Sequence, residues 1–526
     1  RARSRILSPG CAYAMLDRRA LLFAGASVLA SCASAPAAPD PATDAQFRDL
    51  VDRLAERSRR SRPFLLRRFD PSRLTNEGRI LYEAILPGAE ADAALARRPW
   101  GVNGLPYAVT HRYGAWRRAA EMRAEDDPDR TAVLVHDDTN RMEGDAERGV
   151  IPPDVLLDAA IPAVEAAAAR ISAAERDRYE ALANALTRQL QVLRAQRARA
   201  PRDAGVWQFT DGDEFYAQTL QFHFGAPVDP HDAHELALTR CRALQAEADA
   251  LLRAQGLGRG DVAERLRALT ADARQLYAAD AAGKAAAVAD MNASLARGRE
   301  LLASVIEGAA DAPAEVRALP AEYEAAGAQG RRVNSIYYVD LGARRGRWTL
   351  PSVVHHELIP GHILQAPYEA AASAPSLQVR YASGYGEGWA TYAEQLADEA
   401  GAFAEDPLAR IGYLQWMLFR MARVVADTGI HALRWSRQRA VDEMRALQGD
   451  SIAFVSIEDD VLRFCAQPGA HAAQGLTTLH LAQLRARTER TAGSAFDPKR
   501  FHAAMLRHGP LSPPGLDRAA GAAFSV

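Results

Sequence analysis

The sequence predicts a mostly α protein with one short β element. Three observations carry that expectation. Apolar residues recur at three- and four-residue spacing through most of the chain after residue 45. Hydrophobic residues make up 48% of the chain but aromatics only 7%, so alanine and leucine on helix faces must fill much of the core. One stretch, Asn334-Ser335-Ile336-Tyr337-Tyr338-Val339-Asp340, departs from the helical period and reads as a strand. The 526 residues suffice for one large or two ordinary domains. A formal net charge of −2 argues against a nucleic-acid partner.

The first elements concern address rather than fold. Met15 opens a segment with the order of an export signal, and residues 1–14 read as upstream sequence. Arg18-Arg19 precede a short apolar run from Leu21 to Leu29, too short to span a bilayer. Leu29-Ala30-Ser31-Cys32 then has the form of a bacterial lipobox. Residues 1–32 are thus expected to be signal and lipid-attachment site, with 33–44 a tether rich in Ala, Pro and Asp. The expected location is the periplasmic side of a bacterial envelope, anchored by lipid on Cys32; twin arginines are compatible with export in the folded state. After the tether only Cys241 and Cys465 remain, and their spacing alone does not establish a disulfide.

Residues 45–330 read as an N-terminal helical region. Periodic stretches cover 44–60, 76–97, 153–173, 174–198, 231–255 and 284–309, punctuated at Leu86-Pro87-Gly88 and Gly225-Ala226-Pro227. Nothing in them calls for a role beyond scaffold. Residues 331–526 carry the strand candidate and the chemistry. A strand beside a metal helix could pair with an extended peptide, or could simply be a structural edge.

The chemistry centres on His355-His356-Glu357-Leu358-Ile359-Pro360-Gly361-His362. Neutral imidazoles suit zinc, and a neighbouring carboxylate can take a proton from water. The ligands His356 and His362 are six residues apart, not four. On an unbroken helix they would differ by about 120° in azimuth and about 9 Å in rise. Pro360 cannot donate to the His356 carbonyl, and Gly361 relaxes the backbone, so the helix should open there. His355 is the poorer ligand, two full turns from His362. A third ligand is expected on a following helix, and Glu387 is the choice, with Glu394 on the same face to orient a histidine. Solvated helix acids would be the plain alternative for both.

His356-Glu357 through Pro360-Gly361-His362, followed by Glu387-Gly388-Trp389-Ala390, resembles the bacterial family called domain of unknown function 885. Arg420, Arg423, Asp427-Thr428-Gly429-Ile430-His431, Gln467-Pro468-Gly469 and Phe501-His502 extend the resemblance, which is strong from about Leu319 to Leu511. It implies a large two-lobed helical fold like that of zinc metallopeptidases, with the small β element beside the zinc helix. It also implies zinc on His356, His362 and Glu387, and Glu357 as general base. The sequence departs from the pattern after Gly469, where Ala470 and Gln474 replace a glutamine and a tyrosine. His431, His471 or Tyr385 could then donate to the oxyanion. His431 leads, at the end of a helix where Arg423 and Asp427 could pair at i, i+4, though a packing role suits it equally.

The expected function is zinc-dependent hydrolysis of short peptides in the envelope. A catalytically inactive envelope binding lipoprotein that keeps the helical fold is the alternative. There is no phosphate-binding glycine loop with its lysine and no G-x-S-x-G elbow.

Overall fold

Asp-Pro opens six helical segments, at Asp40, Asp70, Asp127, Asp229, Asp406 and Asp497. In each, the aspartate accepts a hydrogen bond from a backbone N–H of the first turn, and the proline has no N–H to leave unpaired. The computed structural model describes residues 39–526 apart from 124, 171–175, 326–328, 343–344, 451, 453–454 and 525–526. The signal segment, Cys32 and the first half of the tether lie outside the described residues. The tether's last residues do not stay extended, because Asp40 caps a helix that begins at Pro41.

The first helices are α1 (Pro41–Ala55), α2 (Arg62–Arg67), α3 (Asn76–Leu95), α4 (Trp116–Ala120), α5 (Pro128–Glu147), α6 (Asp154–Ala169) and α7 (Arg176–Arg197). Then come α8 (Gly212–Phe224), α9 (Pro230–Ala254), α10 (Val262–Ala271) and α11 (Ala281–Leu302). Strand β1 (Glu315–Ala318), helix α12 (Ala321–Ala325) and strands β2 (Arg331–Val333) and β3 (Ile336–Val339) lead to α13 (Leu350–Glu357) and α14 (His362–Ala372). The chain continues through α15 (Ser376–Tyr381), α16 (Tyr385–Glu399), α17 (Pro407–His431), α18 (Arg437–Gln448), α19 (Ile457–Ala466) and α20 (Ala470–Ala492). It closes with α21 (Pro498–Leu506) and α22 (Pro513–Phe524). The mostly α class is observed. Among the described residues no helix is long and apolar enough to cross a membrane.

Helix α17 is buried almost end to end, which an amphipathic surface helix never is. It packs against α9, α18 and α20, and touches α13, α16 and α19. Gly412 lets it approach the chain before α13 so closely that a Cβ there would lie 1.8 Å from the Trp348 carbonyl oxygen. The division expected near residue 330 is not a break in packing. Helix α3 packs against α22, and one apolar cluster runs from Phe47 to Leu479. Helix α3 also passes through Pro87 unbroken to Leu95, and the Pro87 carbonyl accepts from Gln221 Nε2 at 2.9 Å.

The strand candidate is β3, the centre of a three-stranded sheet ordered β1-β3-β2, so it is not an edge. Tyr337 and Val339 face the core. Asn334, in the left-handed region at φ 53°, turns β2 into β3. Asn292 of α11 closes the far side of β1, bonding both the N–H and the carbonyl of Val316.

One open point closes, and one expected pair is replaced. Cys241 and Cys465 are free, buried thiols in the same core, where burial pushes each pKa up to about 12. Arg423 does not pair with Asp427. It makes a bidentate pair with Asp460 at 2.6 and 2.7 Å. Asp427 instead accepts from Tyr216 Oη at 3.0 Å and from the N–H groups of Gly469 and Ala472, which open α20.

Burial raises the Asp427 pKa to about 7, although those hydrogen bonds oppose it. The native state therefore keeps a proton that the unfolded chain gives up near the ordinary value of 3.8. Its stabilising contribution is full below that value and is lost as pH rises through about 7. Urea denaturation of the protein and of Asp427→Asn should show the wild type losing ground to the variant between about pH 5 and pH 7.5, by about 1 kcal/mol per unit. Parallel pH profiles would contradict this.

Candidate metal centre

Helix α13 stops at Glu357, and α14 starts at His362. The chain between them is the opening that the Pro360-Gly361 pair was expected to make. Two of its carbonyls are held by side chains: His355 Nδ1 donates to the Ile359 oxygen at 2.8 Å, and Trp389 Nε1 to the Pro360 oxygen at 3.0 Å. Gly361 folds back so tightly that a Cβ would sit 1.9 Å from the His356 carbonyl oxygen. That contact, rather than a special φ, is why glycine stands there.

The break brings His356 and His362 together, with ring centroids 5.1 Å apart and planes at 88°. Glu387, in the first turn of α16, faces both. Its Oε2 is 3.4 Å from His356 Nε2, and its Oε1 is 3.6 Å from His362 Nε2. One ligand atom from each residue lies within 4.8 Å of the others. Each histidine is aimed by its other nitrogen: His356 Nδ1 bonds Glu394 Oε1 at 2.8 Å, and His362 Nδ1 meets Gln365 Oε1 at 3.3 Å. Glu394 is buried and also accepts from Ser352 Oγ at 2.5 Å. His362 Nε2 is buried with no hydrogen-bond partner. Two imidazoles, a carboxylate and an unpaired buried nitrogen at their focus fit a divalent metal such as zinc.

Electrostatics bear on that fit. Burial and Arg420 press the His356 pKa down, but hydrogen bonds to Glu387 and Glu394 carry it up to about 9. A metal would have to displace that proton. Burial lowers the His362 pKa, leaving a neutral ring. Burial would raise the Glu387 carboxyl, yet Arg420 and the two histidines hold it well below the ordinary range.

His355 points away from the cluster, against Phe403 and over Gly298, and burial lowers its pKa to about 4. His431 is not in the cluster either. Its Nδ1 accepts from Val206 N–H at 3.2 Å, its Nε2 donates to the Phe464 carbonyl at 3.0 Å, and its ring stacks on Tyr216. With both nitrogens engaged in the core, it is a packing histidine and has nothing to give an oxyanion. Tyr385 is excluded likewise, its buried hydroxyl donating to the Met505 carbonyl at 2.7 Å. Of the three expected donors, His471 alone lines the cleft that holds the cluster, a space of about 300 Å³. Gln474, where the family pattern carries tyrosine, lines it too.

Two arginines were missed as site residues. Arg420 Nη1 bonds Glu387 Oε2 and its Nη2 bonds His356 Nε2, each at 3.1 Å. Arg332 of the exposed strand β2 pairs with Glu357. A charge inside the apolar run Trp416-Met417-Leu418-Phe419-Arg420-Met421 was the available signal for Arg420. Arg332 carried none, being one of many surface arginines.

Gly361→Ala should lower the denaturation midpoint and, in metal-binding assays, cost at least about tenfold in affinity, because the clash pushes His362 off its focus. Unchanged affinity would show that the break tolerates a side chain.

Residues 39–519 match the family model described as "Bacterial protein of unknown function (DUF885)". No curated protein matches the sequence. Among solved structures, a "putative lipoprotein" from Colwellia psychrerythraea is similar with a TM-score of 0.70 and 22% identity, over 92% of this chain and 90% of that one. Another, described in the same words with "of unknown function", from Shewanella oneidensis, has a TM-score of 0.66 and 19% identity, over 91% and 92%. At such identities the likeness speaks for the fold. By the extent of the family match, the chain belongs to the DUF885 family of bacterial proteins.

Proposed function

We propose that this protein is a zinc-dependent hydrolase of short peptides, carried as a lipoprotein on the periplasmic side of the cell envelope. The observation that supports the reading most is the convergence of His356, His362 and Glu387, with His356 and Glu387 lining one cleft together with Glu357. The lipid would be on Cys32, in keeping with the description of both similar structures as lipoproteins.

Zinc on His356, His362 and Glu387 would supply a Lewis acid for the peptide carbonyl and for water. Glu357 takes the proton of the attacking water and passes it to the leaving amine. Arg332 pairs with Glu357, which lines the cleft. Arg420 has two N–H groups at the cluster and takes the oxyanion role once expected of His431. A cleft of about 300 Å³ admits a few residues of extended chain and not a folded protein.

One observation favours the other reading, a binding lipoprotein without catalysis. Arg420 bonds Glu387 and reaches His356, so the cluster can also close as an ion-pair network. Metal content separates the two. Mass spectrometry of the purified chain should find about one zinc per molecule, lost in His356→Ala. Glu357→Gln should keep the zinc and lose at least about a thousandfold in peptide turnover. No zinc after reconstitution would favour the binding protein.

A further inference from the structure

The cleft continues beyond the cluster into a group of arginines that the chemistry above does not use. Arg423 lies three residues beyond Arg420 on α17, about 4.5 Å further along the helix. It is locked to the buried Asp460 by two hydrogen bonds. Arg463, one turn past Asp460 on α19, also lines the cleft, yet comes no nearer to Asp460 than 3.9 Å, outside hydrogen-bond range. Arg112 stands close enough for both Arg463 and Asp460 to act on its charge. Three guanidinium groups thus share Asp460, and Asp460 is already committed to Arg423. The surplus is positive, inside a walled space where charge is poorly screened.

Two further side chains face this charge. His471 and Gln474, in the first two turns of α20, line the same cleft. Each has a buried polar atom without a partner, Nδ1 of His471 and Oε1 of Gln474. Burial and the nearby arginines press the His471 pKa down to about 3, so its ring is neutral and does not add to the positive charge. Buried polar atoms left unpaired are costly, and a ligand that pairs them recovers that cost.

We propose that Arg463, backed by Arg423 and Arg112 and flanked by His471 and Gln474, binds the free C-terminal carboxylate of a peptide, which makes the cleft a carboxypeptidase site. The assignment rests on the reading of the cluster as a peptide-hydrolysing centre. A guanidinium takes a carboxylate through two parallel N–H donors. The Gln474 carbonyl oxygen is placed to accept an N–H of the bound peptide, and His471 to donate to its carboxylate.

A carboxylate could come from the chain end or from an acidic side chain, and the test separates them. Three N-acetylated tripeptides are titrated calorimetrically into the Glu357→Gln chain, with and without added zinc, so that none is consumed. They are an alanine tripeptide acid, its C-terminal amide, and an amide with glutamate in the last position. The acid should bind at least about tenfold more tightly than either amide. Arg463→Gln should bring the acid down to the level of the amides, and Arg463→Lys should keep part of the preference. Equal binding of acid and plain amide would overturn the proposal, as would a preference that Arg463→Gln leaves intact. Tight binding of the glutamate amide would move the subsite to acidic side chains and overturn the chain-end assignment. The hydrolase reading is tested apart from this: acid preference in a protein that never cleaves peptides keeps the subsite and removes the hydrolase. Equal cleavage of acid and amide by the wild type does the reverse.

Discussion

Everything at the cluster depends on the interruption between α13 and α14. A continuous helix would put His356 and His362 on different faces, and no ion or carboxylate could reach both. The interruption costs backbone hydrogen bonds in a buried place, which is tolerable only if the freed carbonyls find donors. They do, and the donors come from residues of the same short motifs: His355, directly before the ligand, and Trp389, two residues after Glu387. The ligand set and the clamp that shapes it are therefore one unit, and Glu387 cannot be positioned by α16 without Trp389 being positioned too.

Charge balance decides what the cluster can hold. Glu357, Glu387 and Glu394 bring three carboxylates close together; Arg332 and Arg420 bring two guanidinium groups. With neutral histidines the group is one charge short of balance. The raised His356 pKa is the same shortfall seen from the proton's side, since a proton there restores neutrality. A dication in place of that proton would leave a net positive centre, suited to an electron-rich carbonyl and to the anion formed from it. Arg420 is the adjustable member, since its Nε is buried without a partner and its two N–H contacts are to groups a metal would claim.

The helical class, the interruption and the grouping of His356, His362, Glu387 and Glu394 were legible in the sequence. Each is a local matter: a period, a Pro-Gly pair, or residues seven apart on one helix face. The misreadings are non-local. His431 and Tyr385 carry suitable chemistry, but their polar atoms are consumed by Val206, Phe464 and Met505, residues more than thirty positions away. The Arg423–Asp427 pair had correct helical spacing and lost to Asp460, because a bidentate bond to a buried carboxylate on α19 outweighs an i, i+4 contact. Arg332 reaches Glu357 only because β2 pairs with β3. The single sheet was visible as β3, but its neighbours were too short and too polar to announce themselves.

Asp427, freed from that expected pair, does something the spacing could not suggest. Gly469 starts α20 in the left-handed region, and no side chain at the helix's own N-cap satisfies its first N–H groups. Asp427 reaches across from α17 and takes them. His471 and Gln474 lie in the turn that follows, so their place in the cleft is set by a carboxylate on the helix that also carries Arg420 and Arg423. Helix α17 thus positions three things along its length: the guanidinium at His356 and Glu387, the arginine locked to Asp460, and the start of α20. A helix exposed on one side could shift to follow its ligands. One buried on all sides cannot, and that rigidity holds the two ends of the cleft at a fixed separation.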